Sequence, residues 1–173
     1  MKTSLLNLRA KIRGFTLIEM LVVIAIITLL TGIIMTSLTG SKSKARDAKR
    51  ISDIGNIQLA LELFFDRCKQ YPSTISGTLT SIVNGCPTGI SLGSFISVIP
   101  TQPNSTSASY DYRILTTNSV VTDYVLHVGL ESYNAVVKDA LASLPNGTGW
   151  TNVSGSSTFT CSNNSTDYCI GPK

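Results

Sequence analysis

The chain has 173 residues, 43% of them hydrophobic and only 14% charged, with a formal net charge of +4. That length holds one domain with at most a terminal appendage. Charge this sparse, against roughly a quarter in an ordinary soluble domain, means that an apolar excess is housed outside a soluble core. The basic excess sits at one end, because Lys2, Arg9, Lys11 and Arg13 precede the apolar stretch with no acid among them. Without residues 1–14, ten basic residues face ten acidic ones, and no global electrostatic case for nucleic-acid binding survives.

From Phe15 to Leu38 the only charged residue is Glu19. At about 1.5 Å rise per residue this run is long enough to cross a bilayer as a helix. Its order relative to the leader is the reverse of a secretory signal, where the apolar region precedes the cleavage site and is lost with it. A cut at the small residue Gly14 would leave the whole helix on the product, with the leader cations holding the junction in the cytoplasm. Glu19, ionisable and inside a membrane helix, is a functional candidate on that ground alone.

Next comes a charged collar, Ser41 to Arg50, with Lys42, Lys44, Arg46, Lys49 and Arg50 against Asp47. It reads as a solvated helix face near a membrane surface in preference to a nucleic-acid site. The helix is expected to continue to about Gln70, where Tyr71-Pro72 stops it. Fifty-odd helical residues span roughly 80 Å, about twice a membrane's thickness, so the second half stands outside. There Ile51, Ile54, Ile57, Gln58, Leu61, Phe64, Phe65 and Cys68 share one face. Leu59 and Leu63 project from the opposite side. They are either covered or left exposed by the folded domain, or covered by the helix of a neighbouring subunit.

After Pro72 the texture turns to Ser, Thr, Gly and Asn with short apolar runs. Gly93 to Ile99 fits a strand or a helical turn. Tyr110 to Thr116 and Val120 to Leu130 read as a hairpin joined through Thr117-Asn118-Ser119. Ser132 to Leu144 is ambiguous between helix and strand, and Pro145-Asn146-Gly147 marks a turn. Gly149 to Lys173 is polar and depends on Cys161 and Cys169 for closure. The four cysteines all follow the apolar run, where an exported domain is oxidised. No pair has CxxC spacing and His127 is the only histidine, so disulfides are favoured over metal. Of the three connectivities, nearest-neighbour pairing is expected, Cys68 with Cys86 and Cys161 with Cys169.

Enzymatic motifs are missing: there is no HExxH, no phosphate-cradling glycine loop and no nucleophile elbow. His127 alternates within a strand and reads as structural. Asp111, Asp123 and Glu131 have no spacing that demands acid-base work. The chain is not expected to be an enzyme.

The stretch Lys11 through Glu19, centred on Gly14-Phe15-Thr16-Leu17-Ile18-Glu19, resembles the class III signal of type IV pilins and type II secretion pseudopilins. Asp47-Ala48-Lys49-Arg50, the helix ending in Tyr71-Pro72, Ile99-Pro100 and Pro103 before Tyr110-Asp111-Tyr112, and Tyr124-Val125-Leu126 leading to Leu130-Glu131 are similar in order and spacing to the G-type major pseudopilins. The resemblance implies an α+β, type IV pilin-like fold, a long N-terminal helix packed by its second half on a small antiparallel sheet. The expected divisions are a leader over 1–14, a membrane-spanning half-helix over 15–38, an amphipathic half over 39–70, and a β-rich head over 71–173 with a disulfide-closed C-terminal loop. It also implies cleavage after Gly14 by a membrane-embedded prepilin peptidase, N-methylation of Phe15, and pairing of that amine with Glu19 of the next subunit during assembly.

The expected role is a filament subunit of a type II secretion pseudopilus. The alternatives are a type IV pilus pilin for adhesion, motility or DNA uptake, and a single-pass anchored binding domain that does not polymerise. Implied partners are the peptidase, identical or related subunits, an inner-membrane assembly platform and the membrane itself, with no nucleic acid, cofactor or metal. The leader is expected in the cytoplasm and the head in the periplasm or at the cell surface. Two departures stand out. The membrane helix has no proline, leaving Gly32 and Gly40 as weak points. The calcium that major pseudopilins often bind would find no Asp or Glu between Ala140 and Thr166. A Cys161–Cys169 bridge is expected to pin that loop instead, as in disulfide-tailed pilins.

Overall fold

The computed structural model describes residues 14–75, 85–104, 109–132, 141, 143, 145, 148–155, 159–162 and 166–172, and of 35–39 the backbone. The leader through Arg13, most of Ser132 to Leu144 and most of the turn at Pro145-Asn146-Gly147 lie outside these residues. Two compact units divide the chain, Met1–Ser41 and Lys42–Lys173.

Helix α1 runs Leu17–Cys68. Its start is written in Thr16 and Glu19. The Thr16 hydroxyl accepts from the Glu19 N–H at 3.3 Å, and the Glu19 carboxylate accepts from the Thr16 N–H at 2.8 Å, a reciprocal capping box that satisfies donors the helix leaves open. In the first unit, Leu17–Ile34 is long and apolar enough to cross a membrane, and none of it is buried in protein. The hydroxyls in this stretch turn inward: Thr28 donates to the Ile24 carbonyl, and Thr31 donates to the Ile27 carbonyl at 2.7 Å. In a bilayer, which offers no water, that is how such groups must be satisfied. The helix ends at Cys68, two residues before the expected Gln70. Lys69 takes a left-handed φ of 55° and its N–H donates to the Phe65 carbonyl at 2.7 Å, closing the helix there.

In the second unit the sheet comprises β1 (Asp111–Thr117), β2 (Val120–Gly129), β3 (Trp150–Ser154) and β4 (Asp167–Ile170), in the order β3-β1-β2-β4 with every pair antiparallel. The β1–β2 hairpin turns through Asn118 and Ser119, both with positive φ (52° and 64°), the two-residue geometry whose twist matches that of paired strands. Gly93 to Ile99 resolves into a short 3-10 turn at Leu92–Ser94 followed by irregular chain. β3 and β4 stand where the sequence suggests polar loop. Each is an edge strand of four or five residues whose partner is distant in sequence, so its pairing comes from β1 or β2 and not from its own pattern.

One face of the sheet, with Tyr112, Ile114, Tyr124, Leu126, Tyr168 and Ile170, shares a buried cluster with Ile54, Ile57, Ala60, Leu61 and Phe64 of α1. The stripe read from the sequence is therefore the packed face. The buried tyrosines keep their hydroxyls bonded: Tyr110 donates to Asp53 at 2.8 Å, Tyr124 to Glu62 at 2.9 Å and Tyr112 to the Pro72 carbonyl at 2.9 Å. Cys68 is joined to Cys86, tying the helix end to the following loop. Cys161 is joined to Cys169 on the other face of the sheet, where a second small cluster gathers Val125 with Leu141, Trp150 and Phe159.

Phe64 has no exposed surface and meets Phe95 edge to face at 6.4 Å. Phe64→Ala is expected to lower unfolding free energy by about 3–5 kcal/mol through lost transfer energy and a cavity. Denaturant unfolding of the detergent-solubilised chain measures it.

Candidate functional site

Two groups of residues carry the chemistry that the sequence points to, one in each unit. At the N-terminal junction Gly14 is exposed, Phe15 projects into open space, and Glu19 lies one helical turn on. The Glu19 carboxylate is already engaged: besides the Thr16 N–H it accepts the Thr16 hydroxyl at 2.9 Å. A carboxylate at this place also meets the positive end of the helix dipole. Glu19 thus caps its own helix, a role the sequence carries in the pattern Thr-x-x-Glu but which is easily overlooked beside the membrane argument. The capping site adjoins Phe15, the residue whose amine a cut after Gly14 would free.

In the head, the collar is not a uniformly solvated face. Asp47 and Arg50 are only 3% and 7% exposed. Asp47 accepts the Glu131 N–H at 2.8 Å, the Ser132 N–H at 2.9 Å and Arg50 Nη1 at 2.8 Å. Arg50 also reaches Glu131 at 2.9 Å, and Arg46 grips Glu131 with Nε at 2.7 Å and with Nη2. This network ties the helix to the chain leaving β2. The burial comes from residues about 80 positions away, so a local charge count cannot reveal it. Lys42, Lys44 and Lys49 are exposed, as a solvated collar requires.

Leu59 and Leu63 are 59% and 44% exposed, so the head does not cover them. They border a cleft of about 380 Å³ between α1 and the segment Phe95 to Pro100, at whose rim Val98 is 70% exposed. The three carboxylates weighed for acid-base work fall into separate groups. Asp111 meets His127, Asp123 accepts the Tyr124 N–H at 2.7 Å, and Glu131 belongs to the arginines. Among the described residues no three His, Cys, Asp or Glu side chains converge as metal ligands. The described carboxylate of the C-terminal segment, Asp167, is engaged by His127 and Thr160. That donor set does not fit calcium, which takes six to eight oxygens.

Two outcomes follow from the network. Asp47→Ala takes from buried Arg50 one of its two carboxylate partners and leaves the N–H groups of Glu131 and Ser132 unsatisfied, and is expected to cost about 3–5 kcal/mol in denaturant unfolding. Glu131 is held down to about 2, first by its hydrogen bond to Arg46 and then by Arg50. Its folded value lies below the unfolded one of about 4.3, so its contribution is full above that pH and is lost as pH falls toward 2. Thermal melting between pH 6 and pH 2.5 is expected to show this loss, and Glu131→Gln to be less stable at pH 6 and flatter with acid.

The family model described as the prokaryotic N-terminal methylation motif matches residues 9–35. The chain is 34% identical over 107 residues to type II secretion system core protein G of Pectobacterium carotovorum subsp. carotovorum, covering 60% of this chain and 66% of that protein. It is 42% identical over 73 residues to the protein of the same name from Escherichia coli (strain K12), covering 42% and 50%. To that of Vibrio cholerae serotype O1 it is 32% identical over 93 residues, covering 52% and 64%. The chain thus spans half to about two thirds of the length of these curated relatives. No solved structure matches it. With a methylation motif at the start of a bare apolar helix, and an amphipathic continuation packed on an antiparallel sheet, the chain belongs to the type IV pilin and pseudopilin family, and its relatives are of the G type.

Proposed function

We propose that the chain is a structural subunit of a type II secretion pseudopilus, cut after Gly14 by a prepilin peptidase and N-methylated at Phe15. The observation that carries this reading is the junction itself: Gly14-Phe15 opens a helix whose residues 17–34 are apolar and wholly uncovered, with Glu19 one turn in. A helix of this kind is stable in lipid, and outside lipid only when neighbours bury it, at roughly 25 cal/mol per Å² of apolar surface. Polymerisation supplies such neighbours. Glu19 serves the transfer: its carboxylate is shielded by Thr16 in the single subunit, and the amine of an adjoining subunit replaces that partner in the filament. Leu59 and Leu63 offer a further apolar contact to the adjoining copy.

The head stands outside the cytoplasm and the leader within it. The basic leader favours this orientation, and two disulfides in the head suit an oxidising compartment. The assembly platform of the inner membrane and related subunits are the remaining partners of this reading. A type IV pilus pilin is the second reading, favoured by the Cys161–Cys169 bridge near the C-terminal end, which resembles the closure of disulfide-tailed pilins.

Expression with and without a prepilin peptidase, followed by intact mass and N-terminal sequencing, tests processing. The product is expected to begin at N-methylated Phe15 only when the peptidase is present. An unchanged start in both samples would leave an anchored domain that does not polymerise.

A further inference from the structure

The cations of the collar do not share one fate. Arg46 and Arg50 are gripped by Glu131 and Asp47, and Lys49 lies 3.6 Å from Asp53. Lys42 and Lys44 are exposed, and neither has an acid partner among the described residues. The sequence offers them none nearby, because no Asp or Glu stands between Glu19 and Asp47. Asp47 itself is occupied by Arg50 and by the N–H groups of Glu131 and Ser132. Two strongly hydrated ammonium groups are left over at one level of α1.

That level is set by the chain. Leu38 ends the apolar run, and Lys42 follows four residues later on the same helix, about 6 Å further along its axis. The four-carbon stem of a lysine lies along apolar surface while its charge reaches for water or a counter-charge. With the span in a bilayer, both ammonium groups fall within reach of the headgroup layer, which adds roughly 5–8 Å on each side of the hydrocarbon core.

The arrangement around the axis selects the partner. At the pitch of an α-helix Lys42 and Lys44 lie about 160° apart, on opposite sides. Lys42 stands one turn before Arg46, on the side that meets Glu131, and Lys44 is turned away from it. A protein or a nucleic acid approaches such a helix from one side and reaches one of the two. A layer that surrounds the helix reaches both. A second copy of the chain alongside would bring lysines against lysines, whereas phosphate-bearing headgroups supply the missing charge.

We propose that Lys42 and Lys44 form a two-sided clamp for the phosphates of anionic phospholipids, gathering these lipids around the end of the span nearer the head. Each contact is an ammonium–phosphate ion pair of the point-charge kind that lysine makes. The clamp rests on the span being inserted in a bilayer, and on nothing about cleavage or polymerisation. On the pseudopilin reading, a subunit drawn out of the membrane must give up these contacts, so the anionic lipid content of the bilayer sets part of the hold on it.

Electron paramagnetic resonance tests this on the full chain in phosphatidylcholine vesicles doped with spin-labelled phosphatidylglycerol or spin-labelled phosphatidylcholine, since it separates lipid held at the protein from lipid in bulk. The unaltered chain is expected to prefer phosphatidylglycerol by about fivefold at low salt, and the preference to shrink toward unity near 1 M salt, where screening acts over about 3 Å. Lys42→Gln with Lys44→Gln is expected to lose about half of the preference or more, with each single variant in between. Lys69→Gln, an exposed cation just past the far end of α1, is expected to change nothing. The leader is the same in every sample, so the differences report the collar. A double variant that holds phosphatidylglycerol as well as the unaltered chain would overturn the proposal, as would a loss carried wholly by one of the two lysines. Flotation of the unaltered chain with the vesicles reports insertion separately. A chain that does not float sinks the membrane reading and the clamp together, whereas a floating chain with no lipid preference sinks the clamp alone.

Discussion

The head depends on one contact above all, the burial of a single face of α1 against the sheet. Ile54, Ile57, Leu61 and Phe64 are fully enclosed, and many of the residues that enclose them come from strands more than 45 positions further along the chain. Fully burying each such side chain contributes about 1.5–3 kcal/mol, enough in sum to order the loops that carry the strands. The face is fixed at both ends. At its start Asp47 and Arg50 lock onto Glu131 and Ser132, and at its end Cys68 is bonded to Cys86. Rotation of the helix by even part of a turn would expose the apolar stripe and bury Asn56 or Arg67, so Leu59 and Leu63 are held on the outside.

The two units solve the same problem of backbone and side-chain satisfaction in different solvents. In 17–34 every apolar side chain is exposed and the threonine hydroxyls return to their own helix, the solution suited to lipid. In the head several polar groups that become buried find partners across the fold, as Tyr110 does with Asp53 and Asp47 with the chain after β2. A sheet with both faces occupied results. The inner face carries the aromatic and aliphatic core, and the outer face carries charge, with His127 between Asp111 and Asp167 under the disulfide-closed segment.

Much of this was legible in the sequence because it is periodic or local. The apolar run, the stripe from Ile51 to Cys68 and the β1–β2 hairpin each announce themselves within a short window. What was not legible depends on distance. β3 and β4 form because β1 and β2 offer open edges, and Trp150–Ser154 and Asp167–Ile170 show nothing by themselves that marks them as strands. Arg50 looks like any collar cation until Glu131 is brought beside it. His127 reads as an ordinary strand residue, and only the register Asp111 to His127 reveals its acids. The Thr16–Glu19 capping box is the exception, a local signal that falls on the same residue a membrane helix already marks.

The account stands on the claim that the uncovered helix and Glu19 exist for neighbours of the same kind. Electron cryomicroscopy of the peptidase-processed protein, unaltered and with Glu19→Val, tests this most directly. The account predicts filaments of the unaltered chain with residues 17–34 bundled around the axis and the heads outside, and few or none from the variant. Processed protein that forms no filaments, or a variant that assembles as well as the unaltered chain, would contradict it.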